Sequence, residues 1–306
     1  MAETIVVTGG TGLIGIPLCR LLIEAGHNVR CLTRSGKPHP VAGVQTFRWN
    51  VEEGQIDDAA LHEATVVVHL AGENIAGGRW TPARKAQILS SRTDAAHLLK
   101  AAIGRVSAPV HTVVGASAIG FYNLSKRQVD EGGKAGADFP AEVCIAWEQA
   151  TQALAEGRRL VIFRIGNVLS RAGGVFQRLA QPFSFGLGAW LGSGLQPISW
   201  IHVRDMAGLI AFAIGRPSME GVYNGVANEP VNLKFLVKQM GRYLHKPVMP
   251  IGVPGFVLEL AFGEMAQIVL TGNTVISTRL QGTGYKFRYP HLYDALAELT
   301  RKKKGS

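Results

Sequence analysis

The feature that most constrains the fold is a glycine-rich stretch that follows the first apolar run of the chain. The run from Thr4 to Thr8 is typical of a buried strand, and "GGTGLIG" follows it directly and opens a helical pattern. Glycines at this spacing let a strand turn into a helix while the backbone approaches a pyrophosphate. We therefore predict a dinucleotide site at a helix N-terminus, formed by Gly9, Gly10, Thr11, Gly12, Leu13, Ile14 and Gly15.

Apolar runs alternate with helical stretches over the first 170 residues. Each run is short and almost continuously apolar, which is typical of parallel strands covered by helices on both faces. Thr81, followed by Pro82, predicts the start of a long helix that ends near Gly104. The sequence thus predicts an α/β fold built on a Rossmann-type doubly wound parallel sheet, with strands at 4–8, 28–33, 44–49, 65–71, 110–116 and 160–165.

Beyond residue 170 the pattern loosens into the Gly- and Pro-containing stretch "GLGAWLGSGLQPISW". A helix from Asp205, a strand near Val222 and further helices at 232–244, 254–270 and 290–302 are predicted after it. We predict two domains on this basis. A dinucleotide-binding domain spans 1–170, with 205–228 returning to it, and a smaller C-terminal substrate-binding domain combines 171–204 and 229–306.

Composition and charge exclude several classes of protein. With 306 residues, 47% of them hydrophobic, the chain can bury a large core. The formal net charge is +10, but four positive charges sit together at 301–304 and no basic stripe alternates with aromatic residues, so no nucleic-acid partner is expected. No apolar run approaches the roughly 20 residues that cross a bilayer. We expect no membrane partner, and a cytoplasmic location because the first strand leaves no room for a signal peptide.

The end of the second predicted strand indicates which dinucleotide is bound. Sites for NAD usually place Asp or Glu there, where the carboxylate accepts a hydrogen bond from the ribose 2′-hydroxyl. The segment "CLTRSGK" has no acid and offers Thr33, Arg34 and Ser35 instead. Because a guanidinium can bind a 2′-phosphate through two charge-assisted hydrogen bonds, NADP is the predicted cofactor. The alternative is that Arg34 is a solvated loop residue.

A combination of five motifs resembles a known superfamily. The motifs are "TGGTGLIG", "HLAGENI", "ASAIGFY", "FRIGNVL" and "SWIHVRD". Together they resemble the extended branch of the short-chain dehydrogenase/reductases and, more closely, its atypical subgroup of epimerase-family proteins, some of whose members carry a cell-division-inhibitor label. The C-terminal "GEMAQIVLTGNTVISTRLQGTGYKFRYPHLYDAL" resembles that subgroup's terminal segment.

The resemblance implies further cofactor contacts. Leu70, Ala71 and Gly72 should line the cofactor ribose, and the segment Gly166, Asn167 and Val168 should lie against the nicotinamide. Arg92 matches a cofactor-facing arginine, with Gln87 a little over one turn before it. The helical pattern leaves Arg92 open, because the apolar stripe with Arg92 (Ile88, Ala95, Leu99) is no better than the one without it (Ile88, Ser91, Ala95, Leu98, Ala102). The superfamily also often pairs subunits through the helices after the fourth and fifth strands, which allows a homodimer.

The catalytic pattern of the superfamily is only partly present. Ser117 falls where a Ser or Thr hydroxyl holds the substrate oxygen. On the next helix the superfamily places Tyr and Lys four residues apart, and this chain has Cys144 and Glu148. A carboxylate raises a neighbouring thiol's pKa rather than lowering it, and it cannot hold a ribose as an ammonium does. The usual proton relay is therefore absent.

Three groups could replace that relay. Tyr122 could bring a phenol into the same pocket, Glu148 could act as acid or base if its pKa is raised, and Cys144 could be a nucleophile. Each has a structural alternative: Glu148 as the partner of an arginine, and Cys144 as a small buried residue. His202 and Asp205 match a strand near the substrate cleft, but a buried histidine and a helix cap are the favoured reading for them.

Two functional hypotheses follow. The first is an NADP-dependent oxidoreductase or epimerase-like enzyme that acts on a small carbonyl or sugar-nucleotide-type substrate between the two domains. The second is a catalytically inactive NADP(H)-binding sensor or scaffold, in line with the cell-division label. No metal site is predicted, because the three cysteines have no paired spacing and no neighbouring histidine cluster.

Overall fold

The computed structural model describes residues 2–124 and 128–301. Its strands are β1 Thr4–Thr8, β2 Asn28–Thr33, β3 Gln45–Asn50, β4 Gln55–Ile56, β5 Val66–His69, β6 Thr112–Ala118, β7 Arg159–Ile165, β8 Asn167–Ser170, β9 Pro197–Ile198, β10 Trp200–His202, β11 Gly221–Gly225 and β12 Val231–Asn232. Its α-helices are α1 Gly15–Glu24, α2 Pro82–Arg105, α3 Phe139–Leu154, α4 Gly174–Ala180, α5 Val203–Ile214, α6 Leu233–Leu244, α7 Gly255–Phe262, α8 Gln267–Leu270 and α9 Leu292–Thr300. Lys302, Lys303 and Lys304 of the basic tail lie outside the described residues.

An eight-stranded sheet forms the centre of the molecule, as the alternating apolar runs predicted. The strand order is β11-β7-β6-β5-β1-β2-β3-β4, and only the short hairpin β3–β4 is antiparallel. Chain order reverses between β1 and β5, because β2 and β3 lie on one side of β1 while β5 and β6 lie on the other. In such sheets ligands bind in the crevice beyond the carboxyl ends of the strands at this reversal.

Helices cover both faces of the sheet. On one face Leu18 and Leu22 of α1 pack with Met206 of α5 against the valine-rich strands. On the other face Leu99 of α2 and Leu154 of α3 join the core. Both helices on this second face begin with a side-chain cap. Thr81 accepts from the Arg84 N–H, at the helix start that the sequence predicted, and Asp138 accepts from the Ala141 N–H at the start of α3.

The C-terminal part builds a core of its own. Trp200, Phe183, Met240 of α6 and Leu296 of α9 are buried together in it. The predicted helix 254–270 is broken: α7 ends at Phe262, the next residue Gly263 has φ +60°, and a 3₁₀ turn separates α7 from α8. A residue in this left-handed region cannot continue an α-helix, which explains the difference.

A segment near the C-terminus, residues 271–277 (the strap), reaches the edge strand β11 of the large sheet, where Asn224 Nδ2 donates to Ile276 O at 2.8 Å. Its backbone pairs with Val129, whose N–H donates to Thr274 O at 2.8 Å and whose carbonyl accepts from Ile276 N at 3.0 Å. Ser199 Oγ accepts from Val275 N at 2.7 Å and donates to Asn273 O at 2.9 Å. None of the described helices is both long and apolar enough to cross a membrane.

Candidate functional site

The glycine turn after β1 lies in the crevice where the strand order reverses. Gly9 has φ +68°, and a Cβ there would lie 2.9 Å from the carbonyl carbon of Leu70. Gly15 begins α1 so close to the turn that a Cβ would lie 2.2 Å from Gly9 O. Only glycine fits either position, so the turn is held against the end of β5 and the start of α1.

The N-terminus of α1 is free to meet an anion. Its N-cap residue Ile14 provides no side-chain hydrogen bond, and the first turn contains no acid. The first N–H groups of a helix carry a partial positive charge and need acceptors. Thr11 and Gly12, at the rim of the turn, are exposed. This is the arrangement that a pyrophosphate fits.

Two side chains that the sequence did not single out hold the turn. Val41 N donates to His39 Nδ1 at 3.1 Å, so the proton of the neutral ring is on Nε2, which donates to Gly10 O at 3.0 Å. Thr8 Oγ1 accepts from the N–H groups of Leu70 (3.2 Å) and Ala71 (3.1 Å). His39 stands in "KPHP", which follows no periodic pattern, so its role could not be predicted from the sequence.

His69, at the end of β5, binds the Thr8 hydroxyl that holds the same loop. Because both lone pairs of Thr8 Oγ1 are taken, that hydroxyl donates to His69 Nδ1, 2.9 Å away. His69 is fully buried, and this burial lowers its pKa from 6.5 to about 4. The folded protein therefore keeps this ring neutral where an unfolded chain protonates it.

Acid should destabilise the fold through His69. Between pH 6.5 and about 4 the unfolded chain binds a proton that the folded chain does not, so stability falls as pH falls. The loss from this residue is about 3 kcal/mol over that window. Urea denaturation of the wild type and of His69→Asn at several pH values measures this loss. The difference in free energy of unfolding between the two proteins should narrow by about 3 kcal/mol from pH 6.5 to pH 4. A gap that is constant with pH would contradict the assignment.

Of the three donors predicted at the end of β2, two bind the backbone of their own loop and the third forms an ion pair. Thr33 is buried, and its Oγ1 accepts from Gly36 N at 3.1 Å; Ser35 Oγ accepts from Lys37 N at 3.3 Å. Both shape the loop. The Arg34 side chain is 81% exposed and forms an ion pair with Glu73, with Nη1 and Oε1 3.5 Å apart. Glu73, which the sequence did not single out as a site residue, thus lies opposite the predicted 2′-phosphate donor.

Glu73 links the end of β2 to α2. Its other oxygen lies 3.2 Å from Arg84 Nη1, and Arg84 also donates to Gln87 Oε1 at 2.7 Å. Gln87 itself is exposed. The backbone carbonyl of Glu73 accepts from Arg92 Nη2 at 2.9 Å. Glu73, in the short loop after β5, therefore contacts three arginines at the edge of the crevice, Arg34, Arg84 and Arg92.

Arg92 lies on the buried stripe of α2, which decides between the two stripes that the sequence left open. Its Nη1 donates to Ile88 O at 2.8 Å, and its guanidinium carbon lies 4.7 Å from the centre of the Trp147 ring. A Cβ on Gly72 would lie 3.0 Å from that guanidinium carbon. Burial lowers the pKa of Arg92 to about 10, which still leaves it charged at neutral pH.

Where the superfamily places Tyr and Lys, α3 buries Cys144 and Glu148. The Cys144 thiol lies 3.6 Å from Ala118 O, and burial raises its pKa to about 11. A thiol in this state is protonated at neutral pH, and its hydrogen bond goes to a backbone carbonyl rather than to an activating base. The geometry favours the alternative for Cys144, a small buried residue that packs α3 on β6.

Glu148 forms a two-pronged ion pair with Arg164 of β7. Oε1 lies 2.8 Å from Arg164 Nε and Oε2 lies 2.8 Å from Arg164 Nη2, and both side chains are 7% exposed. Ser117 Oγ donates to the same Oε1 at 2.7 Å. The carboxylate is therefore satisfied by three internal donors, as expected for the structural alternative in which Glu148 is the partner of an arginine.

Tyr122 belongs to the same network. Its hydroxyl donates to Asn224 Oδ1 at 2.6 Å and accepts from Arg164 Nη1 at 3.1 Å. The side chain is almost fully buried, and burial raises its pKa. The guanidinium carbon of Arg164 lies 3.4 Å from the centre of the Phe121 ring. The structure thus brings Ser117, Tyr122 and Glu148 together around Arg164.

Arg164 is the central residue that the sequence reasoning missed. A charge at the sixth position of "RLVIFRI" follows four consecutive apolar residues of a buried strand, and this was the available signal. A charged side chain inside a buried parallel strand needs a partner of opposite charge. Glu148, on the helix before it, is that partner.

The segment after β7 lies beside the strap. Gly166 N donates to Gly225 O at 3.0 Å, Asn167 Nδ2 donates to Ser199 O at 3.2 Å, and Val168 pairs with Ile201 in the β8–β10 register. His202 pairs with Leu169 in the same β8–β10 register, and Asp205 lies in the first turn of α5.

His202 and Asp205 join α5 to the C-terminal segment. His202 Nδ1 accepts from Arg204 N at 3.2 Å, and its Nε2 lies 3.1 Å from Glu298 Oε2. Asp205 accepts from Arg288 N at 2.7 Å and from Tyr289 N at 2.9 Å. Within residues 2–124 and 128–301, no three His, Cys, Asp or Glu side chains are arranged to hold a metal ion.

Comparisons with known proteins match this geometry. The model of the "NAD dependent epimerase/dehydratase family" matches residues 5–225, and a "Domain of unknown function (DUF1731)" matches 253–299. Epimerase family protein Mb2239 of Mycobacterium bovis is 38% identical over 306 residues, covering 99% of both chains. The crystal structure of human epimerase family protein SDR39U1 with NADPH is 34% identical, with a TM-score of 0.86, and covers 97% of this chain and 98% of that one.

A more distant structure supports the fold alone. UDP-glucose 4-epimerase of Thermotoga maritima is 16% identical and has a TM-score of 0.79 over 97% of both chains. The two closer matches extend over nearly the whole chain, and the family match spans the sheet and the crevice described above. The chain belongs to the NAD dependent epimerase/dehydratase family.

Proposed function

We propose that the protein binds NADP(H) in the crevice at the carboxyl ends of β1, β2 and β5. The observation that carries this proposal is the uncapped N-terminus of α1 beneath a turn that only glycine fits, with Arg34 and no acid at the end of β2. The human relative crystallised with NADPH adds support. Residues 9–15 would hold the pyrophosphate, 70–72 the ribose and 166–168 the nicotinamide. NADP(H), when bound, supplies hydride chemistry.

We further propose that the protein uses this cofactor without the proton relay of its superfamily, as a cofactor-binding sensor or scaffold. Each group offered as a replacement proton donor is buried and already has an internal partner. Glu148 is bound by Arg164 and Ser117, Tyr122 by Asn224 and Arg164. A proton donor in catalysis must reach the substrate with a free hydrogen-bonding position. This network instead holds α3 against β6 and β7.

A second candidate rests on one contact. Arg164 donates to the Tyr122 hydroxyl, so a cation lies beside a phenol as lysine does beside tyrosine in the superfamily. If the network opens towards substrate, the protein is an oxidoreductase or epimerase-like enzyme with Ser117 orienting the substrate oxygen. The substrate would be a small carbonyl or sugar-nucleotide-type compound. Residues 171–204 and 229–306 would form the domain that receives it.

A screen for NADPH oxidation separates the two candidates. We expect no turnover with small aldehydes, ketones and nucleotide-sugar derivatives, together with saturable binding of NADPH by calorimetry. Turnover that is lost in Tyr122→Phe but retained in Cys144→Ser would establish the second candidate. Glu148→Gln tests the remaining acid in the same assay. If NADPH does not bind, both candidates are wrong.

Arg34→Ala should remove most of the preference for the phosphorylated cofactor. A charge-assisted hydrogen bond to a phosphate contributes about 1.5–3 kcal/mol, which corresponds to roughly 10- to 100-fold in affinity. We expect that loss for NADPH and little change for NADH, measured by titration at one ionic strength. Equal effects on both cofactors would place the 2′-phosphate elsewhere.

Glu73→Gln should act in the opposite direction. The wild-type carboxylate pairs with Arg34 and would repel a nearby 2′-phosphate, so its removal frees the guanidinium. We expect NADPH to bind several-fold more tightly, with NADH unchanged. Glu264→Gln is the matched control, since the Glu264 carboxylate also pairs with a cation in the first turn of α2, but with Lys85 rather than with Arg34 or Arg84.

A further inference from the structure

An almost uncharged surface lies on the C-terminal part of the molecule. It consists of two segments, residues 181–195 and 247–262, here called the apolar face. The segments run side by side, because Met249 N donates to Gly188 O at 2.7 Å and Val253 N donates to Trp190 O at 2.8 Å. Neither segment belongs to the cofactor crevice described above.

Large apolar side chains are concentrated on this face. Among residues 2–124 and 128–301, twelve large apolar side chains are exposed, and nine of them lie in the two segments. Phe185 is 77% exposed, Leu260 76% and Phe256 70%. The others are Leu187, Leu195, Met249, Ile251, Val257 and Phe262.

The area of this face is large for a monomer. At roughly 100 Å² for each exposed side chain, the face presents about 900 Å² of apolar surface. The largest apolar patch on a typical monomer is about 300–600 Å². A stable protein–protein interface buries about 800 Å² on each partner. The apolar face alone is therefore large enough for one such interface.

The charge pattern indicates which partner fits. The two segments contain 15 and 16 residues and a single charged side chain, Glu259, where the average of the chain (18%) predicts five or six. Three cations border the face: Arg79 binds the carbonyls of Leu260 and Ala261, Lys234 lies over the Trp190 ring, and Lys246 precedes residue 247. None of them lies within the two segments, where an anionic membrane or an acidic protein would need lysines and arginines. Two copies of a chain with net charge +10 repel each other, and they meet most readily where each presents almost no charge.

The pairing surface usual in the superfamily lacks these properties. Among the described residues, neither α2 nor α3 exposes any large apolar side chain. The exposed positions of α2 include Gln87, Asp94, His97 and Lys100. Hydrophobic burial is the main driving force of stable homodimers, so this surface offers little for association.

We infer that two copies of the chain associate through the apolar face, with α7 and residues 185–195 of each copy packed against the other. A dimer with twofold symmetry uses the same patch on both subunits, so each copy would contribute both segments to the interface. The inference is independent of cofactor binding, because the face and the crevice share no residue.

Sedimentation velocity on the full chain tests the inference. We expect the wild type to sediment at twice the mass of one chain at micromolar concentration. Leu260→Lys and Leu187→Lys, one on each segment, should each weaken association by at least about 100-fold, because each places two like charges in the interface. Leu124→Lys is the matched control: Leu124 is 52% exposed but lies outside the face, and this variant should remain dimeric.

Sedimentation at two salt concentrations and in the presence of lipid vesicles completes the test. Raising sodium chloride from about 50 to 500 mM should leave the dimer intact or strengthen it, because screening reduces the repulsion between the copies. A wild type that is monomeric at all concentrations, or a dimer that both substitutions leave intact, would overturn the inference. So would a monomer that co-sediments with phosphatidylserine vesicles, since lipid would then be the occupant. Thermal melts of the variants show that each is folded.

Discussion

Replacing Arg164 with methionine is expected to lower the free energy of unfolding by about 3–5 kcal/mol. The substitution keeps most of the side-chain volume but leaves the Glu148 carboxylate buried with Ser117 as its remaining side-chain donor. It also removes a donor from the Tyr122 hydroxyl. A buried charge that loses its partner retains its full desolvation cost, which is why the expected loss is several times that of a surface pair. Urea denaturation at neutral pH measures it.

Two controls make this expectation specific. The double variant Arg164→Met/Glu148→Leu removes both charges and should be more stable than Arg164→Met alone, because no unpaired charge remains. Arg105→Met breaks an ion pair with Asp58 on the surface and should change stability little. A loss below about 1 kcal/mol in Arg164→Met would show that the ion pair does not hold α3 to the sheet.

Replacing Gly12 with valine is expected to weaken NADPH binding by about 100-fold or more, or roughly 2.7 kcal/mol. Gly12 is exposed at the rim of the turn, and a Cβ there would meet only Gly9 O, at 3.1 Å. The fold can therefore accept the side chain with a small adjustment. The added methyl groups would stand where a pyrophosphate must approach the N–H groups of α1.

The control for Gly12→Val is a glycine away from the crevice. A Cβ on Gly104, near the end of α2, meets no atom within 4 Å. Gly104→Ala should bind NADPH as the wild type does. Calorimetric titration and a thermal melt without cofactor separate lost binding from lost folding. Wild-type affinity in a folded Gly12→Val would show that the pyrophosphate does not lie at this turn.

Features that depend on local sequence were predicted well. The glycine turn, the start of α2 and the strands of the large sheet except the short β4 each follow from residues that are neighbours in the chain. Thr81 and Pro82 determine a helix start whatever packs against it. The sequence could also exclude the usual relay, because Cys144 and Glu148 occupy the positions concerned.

Features that depend on distant contacts could not be predicted. Two stripes on α2 were equally apolar, and Arg92 is buried because the Glu73 carbonyl and the Trp147 ring lie beside it in space. Glu148 could have been a surface acid, and its partner Arg164 is on another element. The roles of His39 and Glu73 likewise arise only where separate loops meet at the crevice.

The strap has a consequence for the way this protein is made. Val129 pairs with residues near Val275, and Glu131 binds Ser277 and Thr278, so these contacts join positions about 146 residues apart. Asn224 Oδ1 accepts a hydrogen bond from the Tyr122 hydroxyl, and Asn224 Nδ2 donates to Ile276 O at 2.8 Å. During synthesis these contacts can form only after residues 271–278 have been made, about 146 residues later than Val129 and Glu131. Docking of the strap is thus a late event in folding, which needs almost the whole chain to be translated.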